Sequence, residues 1–205
     1  FLKFLTESYL YSMKKVGLYF GSFNPIHNGH LALGNYFARH TDLNEVWFVV
    51  SPQNPFKVGN VILEDHHRLE MVRLALEDQA NLFISDIEFS LSKPSYTINT
   101  IEHLVKINPK KQFVLLMGED NLIHFQEWKK NQQILALVQA YVYPRNYKIL
   151  RSSLSFEHKK IKLVKAPKLD YSSKNIRKIL REGKSVKDLI PNASWAYLEK
   201  NGFYK

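Results

Sequence analysis

Val16-Gly17-Leu18-Tyr19-Phe20, running into Gly21-Ser22-Phe23-Asn24-Pro25-Ile26-His27-Asn28-Gly29-His30, is the stretch that decides the fold class. The apolar run has the length of a buried strand, the Gly, Asn and Pro cluster reads as a turn, and the two histidines open a helix. A chain that leaves a strand in this way directs backbone N–H groups and two imidazoles at one small volume. Such a volume suits the phosphates of a nucleotide. His27 and His30 are three apart, so the spacing puts them on one face of a helix's first turn. A metal would need a third ligand that no neighbouring residue obviously supplies. With Gly21, Ser22 and Gly29 around them, hydrogen bonds from both rings to phosphate are the favoured reading. The bland alternative has one histidine capping the helix and the other packed.

Outward from this stretch, strands and helices alternate. Asn28 to His40 has helical spacing, with Leu31, Ala32, Tyr36 and Phe37 available for one face. Glu45 to Val50 reads as a second strand, ended by the prolines of Ser51-Pro52-Gln53-Asn54-Pro55. Leu69, Val72 and Leu76 mark a helix over Glu64 to Asp78, and Leu82-Phe83-Ile84 a third strand. A helix over Ile98 to Val105, which Thr97 could cap, stops before Pro109. Gln112 to Met117 is a fourth strand, followed by helical segments at Asn121–Glu127 and Gln132–Val138. Ala140–Tyr143 and Ile161–Val164 complete six strands, and helices over Asn175–Glu182 and Ala193–Lys200 end at Gly183 and Gly202. This order predicts an α/β fold, a doubly wound, Rossmann-like parallel sheet with a small C-terminal helical part.

At 205 residues with 45% apolar and 13% aromatic content, the chain suits one domain with a substantial core. We expect residues 13–205 to form it and residues 1–12, ahead of Met13, to be an extension. Cysteine is absent, which excludes disulfides and thiolate metal sites and fits a reducing cytoplasm. No apolar run approaches a membrane span. The net charge of +10 favours anionic partners without choosing among nucleic acid, acidic lipid and phosphorylated small molecules.

In a doubly wound sheet ligands gather at the carboxyl ends of the strands, so the loops 21–30, 51–57, 86–97, 118–128 and 170–177 should converge. Ser172, Ser173 and Arg177 form a second anion-binding candidate at a helix start, or an ordinary cap and a surface arginine. Lys57 is a third phosphate contact or a solvated lysine. Asp120, just past Gly118, could accept from ribose hydroxyls or cap a helix. Tyr96-Thr97 opens a helix whose N–H groups could receive a carboxylate. Trp128 reads equally as a stacking surface for a flat ring or as core.

His27-Asn28-Gly29-His30 and Ser173-Lys174-Asn175-Ile176-Arg177 resemble the His-x-Gly-His and Ser-x-x-x-Ile-Arg marks of the nucleotidyltransferase superfamily. Pro94-Ser95-Tyr96-Thr97-Ile98-Asn99-Thr100 and Met117-Gly118-Glu119-Asp120-Asn121 with Trp128 narrow the resemblance to the bacterial nicotinate-nucleotide adenylyltransferases, over about Lys15 to Tyr204. Three positions depart from the family pattern: Lys174 stands where threonine is frequent, Phe56 where a histidine precedes the lysine, and Glu119 in the middle of the Gly-x-Asp segment.

The resemblance implies adenylyl transfer from ATP to nicotinate mononucleotide, giving deamido-NAD and pyrophosphate in NAD biosynthesis. By the same resemblance His27, His30 and Arg177 are catalytic. Gly21, Ser22, Phe23, Lys57, Gly118, Asp120, Ser172 and Ser173 serve ATP and its phosphates, and Asn24, Tyr96, Thr97 and Trp128 the acceptor nucleotide. Mg²⁺ would come with ATP, held mainly by phosphate oxygens and water, with no metal site of the protein's own. The nucleophile is an ionised phosphate, so alignment and charge neutralisation suffice and no enzyme nucleophile is needed. The expected partners are therefore ATP and nicotinate mononucleotide, not nucleic acid or membrane, with self-association left open. Two rivals stand beside this reading: the same chemistry on nicotinamide mononucleotide or pantetheine phosphate, and a non-catalytic basic domain that binds nucleic acid.

Overall fold

Six strands form one all-parallel sheet in the computed structural model, which describes residues 13–52, 63–145 and 158–205. They are β1 (Lys14–Gly21), β2 (Glu45–Val50), β3 (Leu82–Ser85), β4 (Lys111–Gly118), β5 (Gln139–Tyr143) and β6 (Ile161–Leu163). Their order across the sheet is β3-β2-β1-β4-β5-β6. The direction of winding reverses between β1 and β4, so the loops leaving these two strands flank the crevice where ligands of such sheets bind. Residues 1–12 and Lys57 lie outside the described residues.

The strands read as nearly continuous apolar runs because helices cover both faces. Alternate residues divide between two cores. Tyr19, Phe48, Val50, Val114, Leu116, Tyr141 and Tyr143 pack on one face, and Val16, Leu18, Val49, Phe113, Leu115, Met117 and Val142 on the other. The first face is covered by α1 (Asn28–His40), α2 (Asp65–Leu76), α6 (Ser173–Arg181) and α7 (Asn192–Asn201). The second is covered by α3 (Thr97–Ile107) and α5 (Asn131–Leu137), with α4 (Glu119–Ile123) between β4 and α5.

Several helical details differ from the sequence reading. In α1 the buried side is Gly29, Leu33, Gly34 and Phe37, whereas Ala32 is exposed. The cause is Gly34: a Cβ there would lie 2.7 Å from Phe48 Cζ, so the helix rests on β2 through its glycine. The segment expected as one helix over 121–127 divides into α4 and a 3₁₀ turn at Phe125–Glu127. The helix expected from Asn175 starts two residues earlier, at Ser173.

Candidate active site

β1 ends at Gly21, and the chain then turns through Phe23, whose φ of 42° is in the left-handed region that a phenylalanine enters only at a cost. The turn delivers the backbone to His27, which is not on the helix. Its extended backbone (φ −146°, ψ 167°) makes it the N-cap of α1, and His30 is the third helical residue. The two histidines therefore do not share a first-turn face; they cap each other. His30 N–H donates to His27 Nδ1 at 3.3 Å, and His27 N–H donates to His30 Nδ1 at 3.2 Å. Their rings stack with centroids 3.6 Å apart and planes 14° apart.

The reciprocal cap has a chemical consequence. A ring whose Nδ1 accepts a hydrogen bond carries its neutral-state proton on Nε2. Both imidazoles are thereby set as Nε2–H donors, side by side at the switch point of the sheet. Phe23 supports the pair edge-on at 5.0 Å from His30, and Tyr171 extends the stack at 5.8 Å from His27. Gly29 is required here because a Cβ would lie 2.7 Å from Tyr171 Cβ.

α6 is docked onto the same turn. Ser173 Oγ donates to Pro25 O at 2.9 Å and Arg177 Nη1 donates to Asn24 O at 2.6 Å. Ser172 caps the helix, its hydroxyl accepting from Asn175 N–H at 3.4 Å. The two separated sequence motifs thus meet. Asn24 is buried, and its side-chain oxygen accepts from Leu63 N–H and from the Tyr204 hydroxyl.

Across the crevice, Gly118 is the N-cap of α4. A Cβ at Gly118 would collide with Asp120 Oδ1 and lie 2.9 Å from Arg145 Nε. Arg145, which the sequence reading passed over, comes from the end of β5. Its guanidinium bonds to Asp120 Oδ2 at 3.3 Å and Tyr143 OH at 3.1 Å, and its backbone N–H donates to Glu119 Oε1 at 2.8 Å. Asp120 therefore spends part of its charge on Arg145 rather than capping α4. Proline before Arg145 and the mixed residues after it gave no motif to find it by.

Tyr96 is the N-cap of α3 and makes no side-chain cap, so Thr97 is the first helical residue and not the cap. Lys129 Nζ stands 4.0 Å from the Tyr96 ring centroid, which brings the Trp128 segment against the start of α3. Trp128 itself is half-buried, 5.4 Å from Phe125, so its indole is part core and part surface. Ser22 contributes its carbonyl, which accepts from the buried Arg68.

A family model described as cytidylyltransferase-like matches residues 18–179. A protein of Flavobacterium psychrophilum named "Probable nicotinate-nucleotide adenylyltransferase" is 45% identical over 191 residues, 93% of this chain and 99% of the relative. The chain belongs to the nicotinate-nucleotide adenylyltransferase family. A relative of the same name from Cytophaga hutchinsonii is 49% identical over 178 residues, 86% of this chain and 91% of that one. The solved structure of Plasmodium falciparum nicotinic acid mononucleotide adenylyltransferase complexed with NaAD shares the fold, with a TM-score of 0.76 at 22% identity over 93% of this chain and 97% of that one.

Charge at this site shapes the state of the histidines. Burial, and then the positive Arg145, lower the His27 pKa from 6.5 to about 4. His27 is thus a neutral donor near pH 7. The unfolded chain takes up a proton at pH 6.5 that the folded chain refuses until about pH 4. Stability contributed by His27 is accordingly complete above pH 6.5 and is lost as the pH falls to about 4, by about 3 kcal/mol in all. Urea unfolding across this window should show that loss in the wild type and not in His27→Asn, which keeps a capping oxygen without a titrating ring. Equal slopes for the two proteins would refute it. Among the described residues, the one group of three metal-ligating side chains gathered together is Glu64, His66 and His67, at the start of α2, and it includes neither His27 nor His30. No helix among them is long and apolar enough to cross a membrane.

Proposed function

We propose that the chain transfers the adenylyl group of ATP to nicotinate mononucleotide, releasing pyrophosphate and forming deamido-NAD. The observation that carries this reading is the reciprocal His27–His30 cap, with Ser173 and Arg177 docked on its turn. Family membership supplies the acceptor. An oxygen of the acceptor's 5′-phosphate attacks the α-phosphorus of ATP, the bond from that phosphorus to the bridging oxygen breaks, and the electron pair leaves with pyrophosphate.

No proton need be removed from the nucleophile, because it is already an anion. The rate then depends on holding two anions in line and on donors aimed at the charge that builds up. His27 and His30 offer Nε2–H groups whose tautomers the cap has fixed before substrate arrives. Arg177 and Ser173 add charge and a hydroxyl from α6, Gly21, Ser22 and Phe23 line the turn, and Lys57 is assigned to the same phosphates. Gly118 lets the backbone come close to the nucleotide, with Asp120 for its ribose. Mg²⁺ enters as part of MgATP. We place the acceptor against Asn24, Tyr96, Thr97 and Trp128, where the uncapped first turn of α3 offers amides to a carboxylate. A cytoplasmic location goes with this reading.

Pyrophosphate release with MgATP and nicotinate mononucleotide, beside nicotinamide mononucleotide and phosphopantetheine, tests the proposal. Strong preference for the nicotinate acceptor is expected. Release with another acceptor would overturn the acceptor assignment, and no release with any would overturn the activity. Trp128→Ala should raise KM for the acceptor about tenfold, the loss of one stacked ring, and spare KM for ATP. A matching rise in both would assign Trp128 to packing alone.

A further inference from the structure

Glu88 is a carboxyl in an unusual place. It sits in the 3₁₀ turn Ile87–Phe89 after β3 and is only 1% exposed. Buried carboxylates are normally paired with a cation or fully hydrogen-bonded. The contacts found at Glu88 are instead hydroxyls. Thr100 Oγ1, on the first turns of α3, donates to Glu88 Oε1 at 2.7 Å. Glu88 Oε2 and Ser95 Oγ are both buried, and neither has a partner of regular hydrogen-bond geometry among the described residues.

Three hydroxyls from two elements surround this carboxyl. Ser95 precedes the N-cap of α3, Thr100 lies within α3, and Ser51 follows β2; the hydroxyls of all three offset the burial of Glu88. Ser51 is in turn tied to the histidine turn, since its N–H donates to Gly21 O at 2.9 Å. Glu88 thus connects the start of α3 to the strand end from which the His27–His30 turn departs.

We propose that Glu88 is a positioning residue for the acceptor nucleotide, its buried carboxyl holding the Ser95–Thr100 start of α3 at a fixed height above the Gly21 end of β1. The proposal rests on the assignment of the acceptor's carboxylate to that helix start, made above. Its selectivity follows from its partners: the hydroxyls it meets, on Thr100, Ser51 and Ser95, belong to none of the residues assigned to ATP. Burial raises the pKa of Glu88, which favours the neutral acid. A carboxamide of the same shape keeps the oxygen that accepts from Thr100 Oγ1, so glutamine should substitute where an alkyl group should not.

The test is steady-state kinetics with hydrogen exchange on Glu88→Leu, Glu88→Gln and Thr100→Val. Glu88→Leu should raise KM for nicotinate mononucleotide about tenfold, with kcat and KM for ATP within about twofold, and Glu88→Gln should return it to near the wild-type value. Amide exchange over Ser95–Thr100 in the free protein should speed up in Glu88→Leu and not in Glu88→Gln. Should Glu88→Leu fail to fold, Thr100→Val removes the threonine's hydrogen bond to the carboxyl and should shift the same two readouts in the same direction. An unchanged acceptor KM, or parallel rises for acceptor and ATP, overturns the proposal. If the wild type releases no pyrophosphate with any acceptor, the activity falls, and exchange at Ser95–Thr100 alone decides whether Glu88 holds that segment.

Discussion

His30→Ala should lower kcat by about 10² to 10³ while leaving KM for nicotinate mononucleotide nearly unchanged, a loss of about 3 to 4 kcal/mol that falls on the transition state. The expectation follows from what fixes the ring. His30 Nδ1 accepts from His27 N–H, its face is covered by His27 at 3.6 Å, and Phe23 meets it edge-on at 5.0 Å. Such a ring cannot turn to follow the substrate, so its Nε2–H acts where charge develops and adds little to ground-state binding. Alanine removes that donor and half of the cap together. Loss of the cap costs about 1 kcal/mol of stability, which denaturant unfolding measures separately and which cannot account for a hundredfold fall in turnover of folded enzyme. Near-normal turnover in His30→Ala would remove the residue from the mechanism. A large rise in acceptor KM with kcat intact would make it a binding residue.

The strand-turn-helix of residues 16 to 40 was legible because its signals are local. An apolar run, a Gly-Asn-Pro turn and a helix period follow one another without help from the rest of the chain, and the observed α1 spans Asn28–His40 as expected. The parallel sheet covered on both faces also followed from the alternation of strands and helices; the order of its strands did not. What stayed hidden depends on partners far away in sequence. Nothing in the periodicity of α1 says that Gly34 sits on Phe48; Leu31, Tyr36 and Phe37 pack on the core as expected, whereas Ala32 is exposed. Capping chemistry is usually read from Ser, Thr, Asp and Asn; a histidine pair performing it reciprocally has no such signal, and the three-residue spacing alone puts His27 on the helix. Ser173 and Arg177 read as polar residues at a helix start, yet their bonds to Pro25 O and Asn24 O exist only once α6 docks on the turn after β1. Glu88 lies in a short 3₁₀ turn where a charged residue reads as solvent-facing, and burial reverses that reading; Arg145 is exposed, and only the fold brings it to Asp120 and Tyr143.

Arg68 is the extreme case, and the second large effect is expected there. By pattern it is one more polar position beside Leu69 on an amphipathic helix; in the structure it is fully buried. Its guanidinium donates to Leu63 O at 2.8 Å, Ser51 O at 2.9 Å and Pro52 O at 3.4 Å, and also to Ser22 O and the Asp65 carboxylate. One planar group therefore satisfies four backbone carbonyls from three segments and ties the turn after β1 to the loop after β2. Arg68→Leu should cost about 3 to 5 kcal/mol, because the carbonyls lose their donor in a site closed to water. That is a large part of the roughly 5 to 15 kcal/mol of a whole domain. Asp65 suffers less, since it is 35% exposed at the side chain and Lys93 reaches it at 3.3 Å. Arg68→Lys should recover little of the loss: an ammonium has three donors around a point and cannot span carbonyls that a five-donor fork reaches in a plane. Urea midpoints of the two variants give the answer. A cost below about 1 kcal/mol for Arg68→Leu would show that those carbonyls find other partners, and would break the link from α2 to the histidine turn.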